Sequence, residues 1–281
     1  MVKFAHTIFA MPFAMIGYFL GAAYAGVGFS WQTLLLVILC MVFARNAAMG
    51  FNRYSDRKID ARNPRTGNRE IPSGVIKPVA ALVFVGVNAG AFVVTCWFLN
   101  PLVFYLSPVA LLVVLGYSLT KRYTSLCHFI LGTGLSLAPI GAYLAVTGTF
   151  AWLPLMFSFA VLLWTGGFDI IYALQDEDFD IREQLHSIPS WIGIRRALVV
   201  STAVHVVAGI LIVTIGIVWR FGFWYATGAV IFLFLLFYQH LIVKPDHLSR
   251  VNTAFFTSNG IASVVFATFT IIDIFLSFRI F

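Results

Sequence analysis

Nine apolar stretches of about 20 residues, separated by short connections, leave this chain few ways to fold. They run at about 8–28, 31–51, 79–99, 101–119, 126–147, 151–173, 197–218, 222–243 and 254–277, each close to the roughly 20 residues with which a helix crosses a bilayer core. Length alone would suggest two soluble domains, but hydrophobic residues make up 60% of the chain and charged residues 10%, with a mean hydropathy of +0.93. That is too little polar surface for a water-soluble protein. The longest polar stretch, about 52–78, is too short for a separate soluble domain. The expected architecture is all-α: one polytopic membrane domain over 1–281, with nine transmembrane helices around a central cavity.

The basic residues orient these spans. Connections 28–31, 99–101 and 147–151 carry no Lys or Arg, and 219–222 carries only Arg220. The opposite side holds Lys3, Arg45, seven cations between 52 and 78, Lys121, Arg122, Arg182, Arg195, Arg196, Lys244 and Arg250, which is 16 of the 18. Positive connections stay in the cytoplasm, so the N-terminus is expected there and the C-terminus outside, in the cell's inner (cytoplasmic) membrane. Basic loops beside anionic headgroups account for the net charge of +7 without a nucleic-acid partner. Lys3, the first apolar run and Ala23-Tyr24-Ala25 imitate a cleavable signal peptide. Cleavage would leave eight spans and break the alternation of charge, so this segment reads as the first transmembrane helix. Cys40, Cys96 and Cys127 lie in or near spans without a CxxC pairing and read as free thiols.

Two acidic clusters interrupt this pattern, on the cytoplasmic loops between spans two and three and between spans six and seven. Asn52, Asp56 and Asp60 stand in FNRYSDRKID, and Asp176, Asp178 and Asp180 in YALQDEDFD. Each contains an Asp pair at i, i+4, which a helix would place one turn apart on one face. Like charges so placed repel, unless a divalent cation lies between them. Oxygen donors without a Cys or His set select a hard cation such as Mg²⁺, which takes few protein carboxylates and completes its shell with water and substrate phosphate. Two clusters therefore suggest two ions gripping a diphosphate, with Arg65, Arg69 and Lys121 as further clamps on its charge. One such pair alone is equally well explained by solvated ion pairs to Arg57, Lys58 or Arg182. Two pairs at matched places, four spans apart, favour the shared site and hint at an internal duplication.

The same residues resemble the intramembrane aromatic prenyltransferases of the UbiA superfamily, typified by 4-hydroxybenzoate polyprenyltransferases. The first family motif, NxxxDxxxD, is Asn52-Arg-Tyr-Ser-Asp56-Arg-Lys-Ile-Asp60, followed by Arg65-Thr66-Gly67-Asn68-Arg69 and Pro72-Ser73-Gly74. The second is similar in Phe168-Asp169-Ile-Ile-Tyr172-Ala-Leu-Gln-Asp176-Glu-Asp178-Phe179-Asp180, followed by Ser187. Tyr117-Ser-Leu-Thr-Lys121-Arg122-Tyr123-Thr124 and the opening His6-Thr7-Ile8-Phe9-Ala10-Met11-Pro12-Phe13 are also similar. The resemblance covers most of the chain. Two positions depart from the family: Arg69-Glu70 stands where Arg-Pro is usual, and Phe179 where a third consecutive Asp is frequent.

The resemblance implies Mg²⁺-dependent transfer of a polyprenyl group from its diphosphate to an aromatic acceptor, with no protein partner required. Asn52, Asp56 and Asp60 would hold one ion, and Asp176 and Asp180, with Asp178, the other. Lys121, Tyr117 and Tyr172 would stabilise the departing diphosphate, leaving an allylic cation that aromatic walls stabilise by about 1–2 kcal/mol per well-placed ring. Arg45 or Arg122 would meet an acceptor carboxylate. The acceptor implied is 4-hydroxybenzoate, in ubiquinone-type biosynthesis; a dihydroxynaphthoate of the menaquinone route and haem- or chlorophyll-type acceptors are the alternatives, and the run Met49-Gly50-Phe51-Asn52-Arg53 resembles a subgroup acting on other quinone precursors. A membrane transporter would explain the spans but not two metal-type clusters on one face. A CDP-alcohol phosphotransferase would need a DGxxAR-type motif that the chain lacks. His205 and His240 read as helix–helix hydrogen-bonders. Asp169, a costly carboxylate inside a span, reads as orienting a cavity Arg or Lys, or as serving the acceptor indirectly.

Overall fold

A computed structural model describes residues 9–24, 26 and 28–278. Lys3, His6, Thr7, Ile8 and Ala25, used above, lie outside them. The described residues form α1 (Met11–Tyr24), α2 (Trp31–Ser55), α3 (Arg57–Asp60), α4 (Pro78–Trp97), α5 (Pro101–Thr120), α6 (Cys127–Thr147), α7 (Trp152–Ala173), α8 (Glu177–Arg182), α9 (Ile188–Ile192), α10 (Ile194–Val218), α11 (Phe223–Ile242) and α12 (Asn259–Phe278). No β-strand occurs among the described residues.

Eight helical segments among the described residues are long and apolar enough to cross a membrane. The ninth expected span, 8–28, is the difference. Its described helix, α1, has 14 residues, about 21 Å at 1.5 Å per residue and short of a ~30 Å core. It is also a core element: Phe13, Ala14, Ile16, Tyr18 and Leu20 are all buried. By contrast, α4 turns Val79, Val83, Val87 and Val94 outward, and α10 turns out Val199, Val206, Ile210 and Ile217, as helices that meet lipid do.

Turn chemistry sets the helix ends. Ser30 accepts from the Thr33 amide to cap α2, and Asn100 accepts from the Val103 amide to cap α5. Pro78 and Pro101 open α4 and α5 at positions that need no amide donor. Small residues bring the central helices close: a Cβ on Gly17 would lie 2.0 Å from the Pro139 carbonyl oxygen, and one on Gly132 2.4 Å from that of Leu162. These contacts seat α1 on α6 and α6 on α7.

Several buried polar groups are paired across helices, which lowers the cost of placing them in lipid. Asn46 donates to Asn88 between α2 and α4 at 3.1 Å, and Trp164 Nε1 donates to Asn259 Oδ1 at 2.9 Å. Asp273 on α12 accepts the Gly222 amide at 2.7 Å, capping α11 from outside. His205 Nδ1 meets His240 Nε2 at 2.8 Å, in the helix–helix role expected of both. The three cysteines are free; Cys40 and Cys96 lie with Sγ atoms 3.7 Å apart.

Candidate active site

The helices enclose a cavity of about 1300 Å³. One end is lined by Asn52, Asp56, Asp60, Asp176, Asp180 and Lys121, the other by Val37, Leu99, Val103, Leu144 and Phe150. Val37 and Asp56 are 19 residues apart along and just past α2, so the cavity extends about 28 Å beside that helix at 1.5 Å per residue. It is polar at one end and apolar for most of its length.

Both acidic clusters sit where a long helix is interrupted. Asp56 takes φ −88°, ψ 4° between α2 and α3, and Asp176, closing a 3₁₀ turn over Leu174–Asp176, takes φ −108°, ψ 6° before α8. This sparsely populated bridge conformation breaks each helix at the first Asp, and the second Asp follows one short turn later. The clusters therefore lie on helical corners rather than on the loops expected, because only the first Asp of each pair leaves helical geometry. Asp56, Asp60 and Asp180 are 7%, 5% and 2% exposed, which for carboxylates demands charged partners.

Those partners come from a distance. Arg69 Nη1 donates to both Asp60 oxygens at 2.6 and 2.7 Å. Arg122 Nη2 reaches Asp56 Oδ1 at 3.1 Å and also donates to the Ser55 carbonyl and hydroxyl. Arg65 grips Asp176 bidentately, with Nε 2.9 Å from Oδ1, and donates from Nη1 to the Tyr172 hydroxyl at 2.9 Å. Lys121 Nζ stands 3.3 Å from Asp180 Oδ1. The sequence-near cations do otherwise: Arg57 packs over the Tyr54 ring and donates to its carbonyl, and Arg182 donates to the Asp178 carbonyl.

The cations are shared crosswise. Arg65 and Arg69 leave the same connection after α3, yet one serves the Asp176 corner and the other the Asp60 corner. Lys121 and Arg122 are consecutive, and they divide the same way. Asn63 Nδ2 also donates to Asp176 Oδ1 at 3.2 Å, and Thr66 Oγ1 to the Asp60 carbonyl at 3.2 Å. The connection after α3 thus straps one corner to the other. Burial pushes the Asp56 carboxyl above its ordinary range, against the pull of Arg122 and Lys121. Burial disfavours the Lys121 ammonium, but the carboxylates of Asp180, Asp56 and Asp176 outweigh it and hold its pKa above the ordinary lysine range.

Most of the residues singled out from sequence line the cavity: Arg45, Asn52, Asp56, Asp60, Arg65, Arg69, Tyr117, Lys121, Tyr172, Asp176 and Asp180. Two do not. Asp178 is exposed, and the buried neighbour is Phe179; helical rotation within α8 turns Asp178 away when Asp180 turns in. Arg122 reaches Asp56 from outside the cavity wall, which removes it from contact with an acceptor. Among the described residues Asp169 pairs with no Arg or Lys; its partner is His128, at 2.7 Å. Asn63, Thr66 and His128 were missed. Only the spacing of Asn63, three residues after Asp60, signalled the first two; nothing local signalled His128.

The donors fit a hard cation. They are all oxygens, and Asp180 Oδ1 is buried without a hydrogen bond, 3.3 Å from the Lys121 ammonium. Among the described residues no three metal-binding side chains already converge, because each carboxylate is engaged by a cation.

Comparison with known proteins agrees with this geometry. The model of the UbiA prenyltransferase family matches residues 10–260. A protein of Aliivibrio salmonicida named 4-hydroxybenzoate octaprenyltransferase is 30% identical over 244 residues, covering 84% of this chain and 82% of its own. The apo structure of a UbiA homologue from Aeropyrum pernix superposes with a TM-score of 0.87 at 28% identity, over 97% of this chain and 99% of that one. An Archaeoglobus fulgidus homologue, solved with DMAPP and Mg²⁺, shares the fold at a TM-score of 0.69 and 18% identity, over 96% of this chain and 97% of that one.

Proposed function

Because this chain belongs to the UbiA prenyltransferase family and is a prenyltransferase, we propose that it transfers a polyprenyl group from a polyprenyl diphosphate to 4-hydroxybenzoate, with Mg²⁺ bound at both corners. The observation that carries this reading is the crosswise pairing of buried carboxylates with cations at one end of a long apolar cavity. A magnesium diphosphate lets these pairs exchange partners, carboxylate to metal and cation to phosphate, so that no buried charge is left alone. Asn52, Asp56 and Asp60 would hold one ion, and Asp176 and Asp180 the other. The ions supply electrostatic stabilisation of the leaving diphosphate.

The chain's own residues do the rest. Arg65, Arg69 and Lys121 bind the phosphate oxygens, and the hydroxyls of Tyr117 and Tyr172 donate to them. Tyr172 packs on Phe255 with centroids 4.2 Å apart, and these faces line the cavity where the allylic cation forms. The apolar length beyond accommodates the prenyl tail and excludes water from the cation. Arg45 lies seven residues before Asn52 on α2, two turns deeper in the cavity, where it meets the acceptor carboxylate. We read α1 as a ninth span and place both corners on the cytoplasmic side of the inner membrane, on the strength of the charge distribution. A dihydroxynaphthoate would keep this mechanism and change the pathway.

The test is mass spectrometry of membranes containing this chain, supplied with a polyprenyl diphosphate, Mg²⁺ and 4-hydroxybenzoate. A prenylated 4-hydroxybenzoate that disappears with EDTA and in Asp56→Asn/Asp176→Asn supports the reading. Prenylation of a dihydroxynaphthoate alone replaces the acceptor, and no prenylated aromatic product overturns the assignment.

A further inference from the structure

We infer that Asp169 is a catalytic residue on the acceptor side, receiving the hydroxyl of a phenolic acceptor, and that His128 is the residue that positions it. This rests on the prenyl transfer to a phenol proposed above and assigns the end of the acceptor opposite its carboxylate.

Asp169, on α7, lies seven residues before Asp176, which closes the 3₁₀ turn after that helix, and is about 10 Å deeper at 1.5 Å per residue. On α2, Arg45 lies 11 residues before Asp56. Two helices thus carry opposite charges below the two corners, Arg45 about one turn deeper than Asp169, both lining the same cavity. A hydroxybenzoate has an anionic end and a hydroxyl end, and this pair of charges matches its polarity.

The surroundings of Asp169 leave it ready to accept a hydrogen bond. His128 Nδ1 lies 2.7 Å from Asp169 Oδ2. His128 itself is 2% exposed, and its Nε2 accepts the Ile188 amide at 3.2 Å. Nε2 faces the Ile188 amide and Nδ1 faces the carboxylate, so the ring is oriented for Nδ1–H to donate to Asp169. The first residue of α9 thereby locks the ring, and the ring locks the carboxylate. Asp169 Oδ1 accepts no hydrogen bond among the described residues, and the side chain keeps 20% of its exposure, toward the cavity. One turn deeper on the same wall, Thr165 Oγ1 is fully buried and also lacks a partner. A carboxylate oxygen left open beside an apolar tunnel fits a small polar ligand that can donate to it.

The proton balance follows. The acceptor O–H donates to Asp169 Oδ1. Once the C1–oxygen bond to diphosphate has broken, the ortho ring carbon bonds to the cationic prenyl C1, the phenolic proton passes to Asp169 and a neutral dienone results. The ring proton at the new bond then leaves to the diphosphate. Asp169 returns its proton to the oxygen, aromaticity is restored, and one proton leaves with the diphosphate.

The experiment compares Asp169→Asn, His128→Leu and His128→Gln with the parent enzyme in nanodiscs, using geranyl diphosphate and 4-hydroxybenzoate. His128→Leu is expected to raise the acceptor KM and lower kcat by about tenfold or more, with the geranyl diphosphate KM unchanged within about twofold. His128→Gln recovers most of that loss, because its amide reproduces both the donor to Asp169 and the acceptor for Ile188. Asp169→Asn, which preserves shape, loses about a hundredfold or more in kcat and retains Mg²⁺-dependent geranyl diphosphate binding, which also reports that the variants are folded. If both KM values move together, or His128→Gln is no better than His128→Leu, the assignment is wrong although the enzyme prenylates phenols. If the parent prenylates no phenol at all, the assignment falls together with the reading it rests on.

Discussion

The two acidic corners are built alike and braced differently. Each has a long helix, a first Asp in the bridge conformation, a short helix and a second Asp one turn on. The α2–α3 corner keeps one cation from its own connection, since Arg69 is nine residues from Asp60. The α7–α8 corner has no such local partner: Arg65 reaches Asp176 across 111 positions, and Lys121 comes from the turn between α5 and α6. The first corner can therefore form with its helix pair. The second is complete only when the connection after α3 and the end of α5 have docked on it. Half of the site depends on elements far away in sequence, and the strap after α3 ties both halves together.

Removing a carboxylate breaks the comparison most severely. Asp60→Asn or Asp180→Asn is expected to cost about 10²–10³ in kcat, and chelation of Mg²⁺ at least as much, measured as prenyl product formed per unit time. If only one corner mattered, one of these variants would remain near the parent. The consecutive cations give a sharper contrast. Lys121→Gln, inside the cavity, should lower kcat by about a hundredfold. Arg122→Gln, behind Asp56, should lower it by about tenfold, through weaker Mg²⁺ affinity, in a magnesium titration.

The pH dependence tests the first corner. Burial raises the Asp56 pKa, so in the ion-free protein this carboxyl becomes neutral as pH falls through a value above the ordinary ~3.9 of aspartate. Mg²⁺ requires the carboxylate, so apparent affinity should be full above that raised pKa and fall below it. Asp56→Asn should remove the inflection along with most of the binding. The sign for ion-free stability is opposite: the fold favours the neutral carboxyl, and that contribution is lost as pH rises through the raised value. The smallest effect is expected at Arg62–Glu183, a 2.8 Å pair whose Arg side chain is 59% exposed. Arg62→Ala should leave kcat within about twofold and thermal stability within about 1 kcal/mol. A large loss there would mean that the strap depends on this outer pair more than on Asn63 and Arg65.

Apolar run length and charge bias made the span positions legible, because bilayer thickness and the placement of cations act locally on the chain. The observed α5, 101–120, and α6, 127–147, differ from their expected positions by only a residue or so. Run length could not foresee how deeply α1 is buried, since packing rather than hydropathy decides that. The i, i+4 spacing located both carboxylate pairs. It could not say which cation each would meet, because Arg65 and Arg69, or Lys121 and Arg122, are equivalent until the fold separates them. His128 was invisible for the same reason: its partners, Asp169 and Ile188, lie on other elements.

The central claim is that the two corners form one site around one diphosphate. A double-mutant cycle tests it: kcat/KM for geranyl diphosphate in Asp60→Asn, Asp180→Asn and the double variant. Residues that act as a unit are strongly non-additive, so the double variant should be no worse than the poorer single one. Losses that multiply would mean that each corner acts alone, and the shared site would be wrong.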